Sequence, residues 1–174
     1  WRLSGIERDV YLRADNPIAI NDFIVNSDLL NNFKDGHFKV KVELKNTTPS
    51  LQKRKLELLL ISDNQKEIFK ETKVIEVEKG NSEVTFNSVV SSVKPWTAET
   101  PNLYKALLVF SDLNDVQKQV TSVQVGFRNI KIEKNQFLVN GKPILIKGVN
   151  LHDHDHKTGH VVSEELTLKD LRLM

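Results

Sequence analysis

From residue 1 to about 127 the chain consists of short apolar runs separated by polar turns, with hardly any helical period. The clearest run is His37-Phe38-Lys39-Val40-Lys41-Val42-Glu43-Leu44-Lys45. Its period-2 alternation puts Phe38, Val40, Val42 and Leu44 on one face and the polar side chains on the other. Asn46-Thr47-Thr48-Pro49-Ser50 supplies turn chemistry, and Leu56-Glu57-Leu58-Leu59-Leu60-Ile61 follows as a more fully buried strand. Residues 10–14 and 18–25 read as two strands meeting at Asp15-Asn16-Pro17, because a proline cannot donate a ladder hydrogen bond and suits a junction. Further runs lie at 68–77, 83–90, 103–110 and 119–127. Roughly seven such strands over about 100 residues predict an all-β fold, an antiparallel immunoglobulin-like β-sandwich.

After Phe127 the pattern changes. Ile130-Lys131-Ile132-Glu133 and Phe137-Leu138-Val139 flank a polar turn, and Asn140-Gly141 is a strong hairpin signal because both residues tolerate positive φ. A small hairpin system is expected over 130–146, with Lys147-Gly148-Val149 continuing into another strand and a boundary near Arg128. The tail from Ser163 to Met174 begins with a good N-cap and two acids suited to the helix dipole, so it reads as a helix. Its apolar positions have no partner layer in the remaining sequence. A strand, a polar loop and an amphipathic helix open a βα unit, and no second unit follows, so the chain is expected to be a piece of a longer protein.

Composition narrows the function classes. Hydrophobic residues at 39% and charged residues at 28% are ordinary globular values. The net charge of +2 is spread without long blocks, which argues against a nucleic-acid or membrane partner. The compact triplet Lys53-Arg54-Lys55 reads as a solvated turn or strand end. With no cysteine there is no disulfide, thiolate nucleophile or thiolate metal site, and the sandwich must rely on its two apolar inner faces. The compartment is left unknown, cytoplasm and periplasm both being compatible.

The chemistry concentrates in Gly148-Val149-Asn150-Leu151-His152-Asp153-His154-Asp155-His156-Lys157-Thr158-Gly159-His160, where four of the five histidines fall within nine residues beside two aspartates. Alternation of His152, His154 and His156 offers three imidazoles on one side of an extended segment, a zinc- or nickel-like set, but no established metal spacing is present and no native metal site is assigned. Trp96 suits sugar stacking in principle. Its setting between Pro95 and Pro101-Asn102-Leu103-Tyr104 favours burial at a strand junction. Arg8, Asp9, Glu99 and Arg128 read as structural ion-pair or hydrogen-bond partners, and His37 as a surface residue without a visible partner.

Four ordered stretches carry a resemblance. They are Leu3-Ser4-Gly5-Ile6-Glu7-Arg8-Asp9-Val10-Tyr11-Leu12, Pro95 to Tyr104, Val125-Gly126-Phe127-Arg128, and Phe137-Leu138-Val139-Asn140-Gly141-Lys142-Pro143-Ile144-Leu145-Ile146-Lys147-Gly148-Val149-Asn150. In this order they resemble the β-galactosidase, β-glucuronidase and β-mannosidase family of retaining glycoside hydrolases, in which a jelly-roll domain precedes an immunoglobulin-like sandwich and then a catalytic (β/α)8 barrel. The resemblance implies that residues 1–15 end the jelly roll and link it onward. Residues 16–127 would form the sandwich, and 128–174 the hairpin, first strand and first helix of a truncated barrel. Gly-Val-Asn followed by His-acid-His looks most like the β-galactosidases, although Leu151 stands where an arginine is usual and His156 where a proline is common.

Retaining glycosidases need two carboxyl groups about 5–5.5 Å apart. In the resembled family these are glutamates on later barrel strands, so no catalytic residue is expected here. Asp153, Asp155, Glu164 and Glu165 match neither motif. The resemblance implies that His152 contacts sugar hydroxyls in the complete enzyme, at the C-terminal end of the first barrel strand. Asn150, Asp153 and His154 would position the loop. No cofactor is expected in this segment, although a parent of this kind can use divalent or monovalent cations bound elsewhere. The implied partners are the neighbouring domains and a galactoside, with an oligomer compatible. A free-standing immunoglobulin-like carbohydrate-binding or adhesion module is the alternative, and it would present an exposed aromatic platform.

Overall fold

The computed structural model describes residues 5, 6 and 8–174, without the side chains of Gln117 and Lys118. Residues 1–4 and 7, part of the first family-like stretch and of the expected end of a jelly roll, lie outside the described residues. Two compact units divide the chain, one formed by Asp15–Leu145 and the other by Trp1–Ala14 with Ile146–Met174.

In the larger unit, β1 (Ile18–Leu30), β2 (Asp35–Asn46) and β5 (Gly80–Val90) form one antiparallel sheet in the order β1-β2-β5. A second antiparallel sheet follows the order β4-β3-β6-β7, from β3 (Gln52–Ile61), β4 (Glu67–Val77), β6 (Tyr104–Ser111) and β7 (Gln117–Val125). This is the expected immunoglobulin-like sandwich. The alternation in β2 does what its period requires: Phe38, Val40, Val42 and Leu44 are wholly buried against Leu56, Leu58 and Leu60 of the opposite sheet and Phe110 of β6. Phe127, just beyond β7, meets Phe38 and Tyr104 edge-on at centroid distances of 6.0 and 5.5 Å.

Two polar features inside the sandwich escape the binary pattern. Asn46 is buried, donating Nδ2 to the carbonyls of Ser50 and Val77 while Oδ1 accepts from the backbone N–H and hydroxyl of Thr48. All its capacity is used, which is what a buried amide requires. Tyr104, at the start of β6, accepts the backbone N–H of Lys94 on its hydroxyl at 2.7 Å, the arrangement of the tyrosine corner in immunoglobulin-like sandwiches. Tyr104→Phe should lower stability by about 1–3 kcal/mol because it strands that N–H. Chemical denaturation monitored by Trp fluorescence would show it, and an unchanged midpoint would count against the corner as a stabilising bond.

β1 runs to Leu30, five residues past the expected end, through Asn26-Ser27-Asp28, whose polarity hides the strand in the sequence. Its pairing with residues 35–41 of β2 extends it. The outer edge of β1 faces β7 and is closed by side chains rather than by a ladder. The Gln119 amide accepts from the Ile20 N–H and donates to the Ile20 carbonyl, and Ser27 donates its hydroxyl to the Gly126 carbonyl. The carboxylates of Asp22 and Asp28 cap the N–H groups of Phe23 and Leu29. Charged caps on an edge strand oppose pairing with a foreign strand.

The hairpin follows as β8 (Ile130–Glu133), β9 (Gln136–Val139) and a two-residue β10 (Lys142–Pro143). Asn140 and Gly141 both have positive φ, as the Asn-Gly signal requires. An amide clasp ties this hairpin to the sandwich. Asn140 accepts the Asn129 N–H on Oδ1 and donates Nδ2 to the Trp96 carbonyl, while Asn129 donates Nδ2 to the Asp28 carboxylate.

Several expectations are adjusted by the structure. Residues 10–14 and 147–149 form no strand, and the hairpin expected over 130–146 ends its ladder at Pro143, with the Ile144 N–H still donated to the Phe137 carbonyl. His37 is not partnerless: Nε2 lies 2.7 Å from Oδ1 of Asn87 across the β2–β5 ladder. Arg128, expected in an ion pair or hydrogen bond, donates its backbone N–H to the Ser27 carbonyl at 3.4 Å and also places its guanidinium over the Trp96 ring at 4.7 Å. Trp96 itself is half-buried rather than buried, its backbone N–H donating to the Phe127 carbonyl.

Candidate functional site

The histidine-rich loop and the helix α1 (Glu164–Leu173) belong to the smaller unit. The helix starts as its sequence dictates. Ser163 is extended at φ −76° and ψ 154°, its hydroxyl accepts the Leu166 N–H, and Glu164 and Glu165 occupy the first turn. None of its residues is buried, so Leu168, Leu171 and Leu173 present an apolar stripe to solvent.

The loop turns back on itself at Asp155. The Asp155 and Gly159 backbones exchange both N–H to carbonyl bonds, at 2.7 and 2.9 Å, and Gly159 takes a φ of +66° that favours glycine. The Asp155 carboxylate accepts the N–H groups of Lys157 at 2.6 Å and Thr158 at 3.4 Å, an Asx-type turn. Those bonds, led by the one from Lys157 and helped by His156 and His154 nearby, hold the Asp155 carboxyl below the usual carboxylate range. A depressed folded-state pKa contributes order that is present above the unfolded value of about 3.9 and is lost as pH falls through the lower folded value. Hydrogen exchange at the Lys157 and Thr158 amides should therefore lose protection below about pH 4, and Asp155→Asn should remove that pH dependence. Protection that is flat through this range would show the carboxylate to be dispensable.

This turn places His154 beside His160, ring centroids 5.6 Å apart and nearly perpendicular. His160 Nδ1 lies 3.0 Å from the Asp153 carbonyl oxygen. A carbonyl only accepts, so Nδ1 carries the proton. Of the residues expected to matter, Asp153 and His154 are thus joined, and both through His160. His152 and Asn150 are exposed. His156 has its Nδ1 3.5 Å from the Asp155 carboxylate and a largely solvated side chain. The extended segment that alternation needs ends at Asp155, and His156 falls inside the reversal between Asp155 and Gly159. Among the described residues no group of three or more histidines and acids could hold a metal ion.

His160 and Asp155 are the residues that sequence reasoning left without a structural role. A signal for the turn was present, since an aspartate followed by Lys157-Thr158-Gly159 is turn chemistry. The histidine contact depends on that turn being closed.

Along the chain a seven-stranded immunoglobulin-like sandwich is followed by a hairpin, a histidine-rich loop and a capped helix. The chain belongs to glycosyl hydrolases family 2: the family description matches residues 18–128, and that of the family's TIM barrel domain matches 130–174. A β-galactosidase of Vibrio vulnificus (strain CMCP6) is 32% identical over 179 residues, and one of Pseudoalteromonas haloplanktis is 34% identical over 188. Both alignments cover 100% of this chain and 17% of the relative, so the chain spans about a sixth of the length of the curated relatives it matches. A family 2 glycosyl hydrolase from Bacteroides cellulosilyticus superposes with a TM-score of 0.82 at 20% identity, over 91% of this chain and 21% of that one. A Parabacteroides merdae β-glucuronidase does so with 0.74 at 21% identity, over 91% and 19%. At these identities the structures speak for the fold.

Proposed function

We propose that this chain is the central scaffold and barrel entry of a retaining β-galactosidase that cleaves terminal β-galactosides. The observation that carries the reading is the family match along both halves of the chain, together with β-galactosidase relatives that align over its whole length. In this reading residues 16–127 serve as the rigid sandwich and 128–174 begin the barrel. His152 leaves the end of the first barrel segment to contact sugar hydroxyls, and Asn150, Asp153 and His154 hold its loop. Both catalytic glutamates and any cations lie elsewhere in the enzyme, so the chain alone is inactive. Its partners are the neighbouring domains and the galactoside.

Hydrolysis of an aryl β-galactoside and an aryl β-glucuronide by the complete enzyme and by the isolated chain tests this. The expected result is turnover of the galactoside by the complete enzyme and none by the chain. Turnover by the chain that survives repurification, or preference of the enzyme for the glucuronide, would overturn the reading.

A further inference from the structure

We propose that His160 is a positioning residue of the sugar-binding loop, acting on His152 through the backbone of Asp153 and the ring of His154. The proposal rests on the β-galactosidase reading above.

The geometry supplies two separate holds. The reciprocal Asp155–Gly159 pair makes residues 154 and 160 the next pair outward, and their rings meet edge to face. One step further back, Nδ1–H of His160 bonds the carbonyl of Asp153, which fixes the peptide plane between Asp153 and His154. With that plane fixed, the chain just before it, which carries His152, loses one of its soft rotations. Hydrogen bonds of this kind narrow the conformations open to a polar loop. Small displacements of a group that contacts a transition state are costly, about a hundredfold in rate for a shift of about 1 Å.

Asp155 anchors the other side of the same turn, its carboxylate already occupied by the amides of Lys157 and Thr158. That occupancy gives Asp155 a structural use in place of the acid or base role its chemistry would allow.

The test is steady-state hydrolysis of an aryl β-galactoside by the complete enzyme carrying His160→Phe or His160→Asn. Phenylalanine keeps a ring against His154 and lacks the donor, whereas the asparagine side-chain nitrogen stands close to where Nδ1 was. His160→Phe should lower kcat about tenfold with KM changed less than about twofold, while His160→Asn should recover to within about threefold of the parent. Melting temperatures measured alongside separate a loss of fold from a loss of placement. A wild-type kcat in His160→Phe, or equal losses in the two folded variants, would overturn the inference. His152→Ala in the same assay keeps the two claims apart. If it lowers kcat while His160→Phe does not, only the positioning role fails; if it is silent in an active enzyme, the sugar-contact reading of the loop fails with it.

Discussion

Phe127→Ala should destabilise the sandwich by about 3–5 kcal/mol, the cost of removing a large core aromatic whose site cannot collapse. Phe127 is wholly buried and sits where the last strand leaves the core, with Phe38 and Tyr104 packed edge-on against it. From the other side comes the backbone of β2: a Cβ added at Gly36 would stand 2.5 Å from the Phe127 ring, closer than non-bonded carbons tolerate. The glycine is therefore required by the aromatic rather than by its own backbone angle. Gly36→Ala alone should cost about 1–3 kcal/mol by overpacking. The two changes should couple, since the alanine at 36 fits once the ring is gone, so the double variant should lose clearly less than the sum. Urea denaturation of the four proteins of this cycle measures the coupling, and strictly additive losses would refute the contact as the reason for Gly36.

His152→Ala in the complete enzyme should lower kcat/KM for an aryl β-galactoside by about a hundredfold, equivalent to about 2.7 kcal/mol of transition-state stabilisation. The expectation follows from the proposed contact with sugar hydroxyls, because bonds to hydroxyls strengthen as the ring distorts toward the oxocarbenium-like transition state. The loss should accordingly fall mainly on kcat. Melting temperatures measured alongside separate a loss of fold from a loss of transition-state contact. A fall in KM-dependent binding alone, with kcat intact, would contradict a transition-state role.

Much of the fold was legible in the sequence because most of the information it needed is local. Alternation in β2 dictates a buried and a solvated face whatever the strand pairs with, and the same holds for Leu56, Leu58 and Leu60. The Asn140-Gly141 turn was readable for the same reason. The second half of β1 was not, because Asn26, Ser27 and Asp28 look like a loop until β2 is laid beside them. Residues 147–149 failed in the opposite sense: beyond Ile144, whose N–H goes to the Phe137 carbonyl, no described strand pairs with the chain, and apolar composition makes a strand only where neighbours complete its ladder.

The histidine loop divides in the same way. Its residue types and family-like order pointed to His152, Asn150, Asp153 and His154. The pairing of His154 with His160 and the hold of His160 on Asp153 appear only once the chain reverses at Asp155, which spacing along an extended segment misrepresents.

By itself, then, the sequence determined which faces of the strands are apolar, where the tight turns fall and which family the ordered motifs belong to, because each of these depends on residues a few positions apart. The tertiary structure decided that the fourth strand pairs with the third, and that Gln119 and Ser27 close the seam between β1 and β7. It also decided that Tyr104 reaches Lys94, and that His160 rather than His156 joins the loop cluster. The seam bonds join residues 99 positions apart and the others depend on how the chain turns back, so the choice among partners is made by packing and hydrogen-bond satisfaction in three dimensions, which no period along the chain encodes.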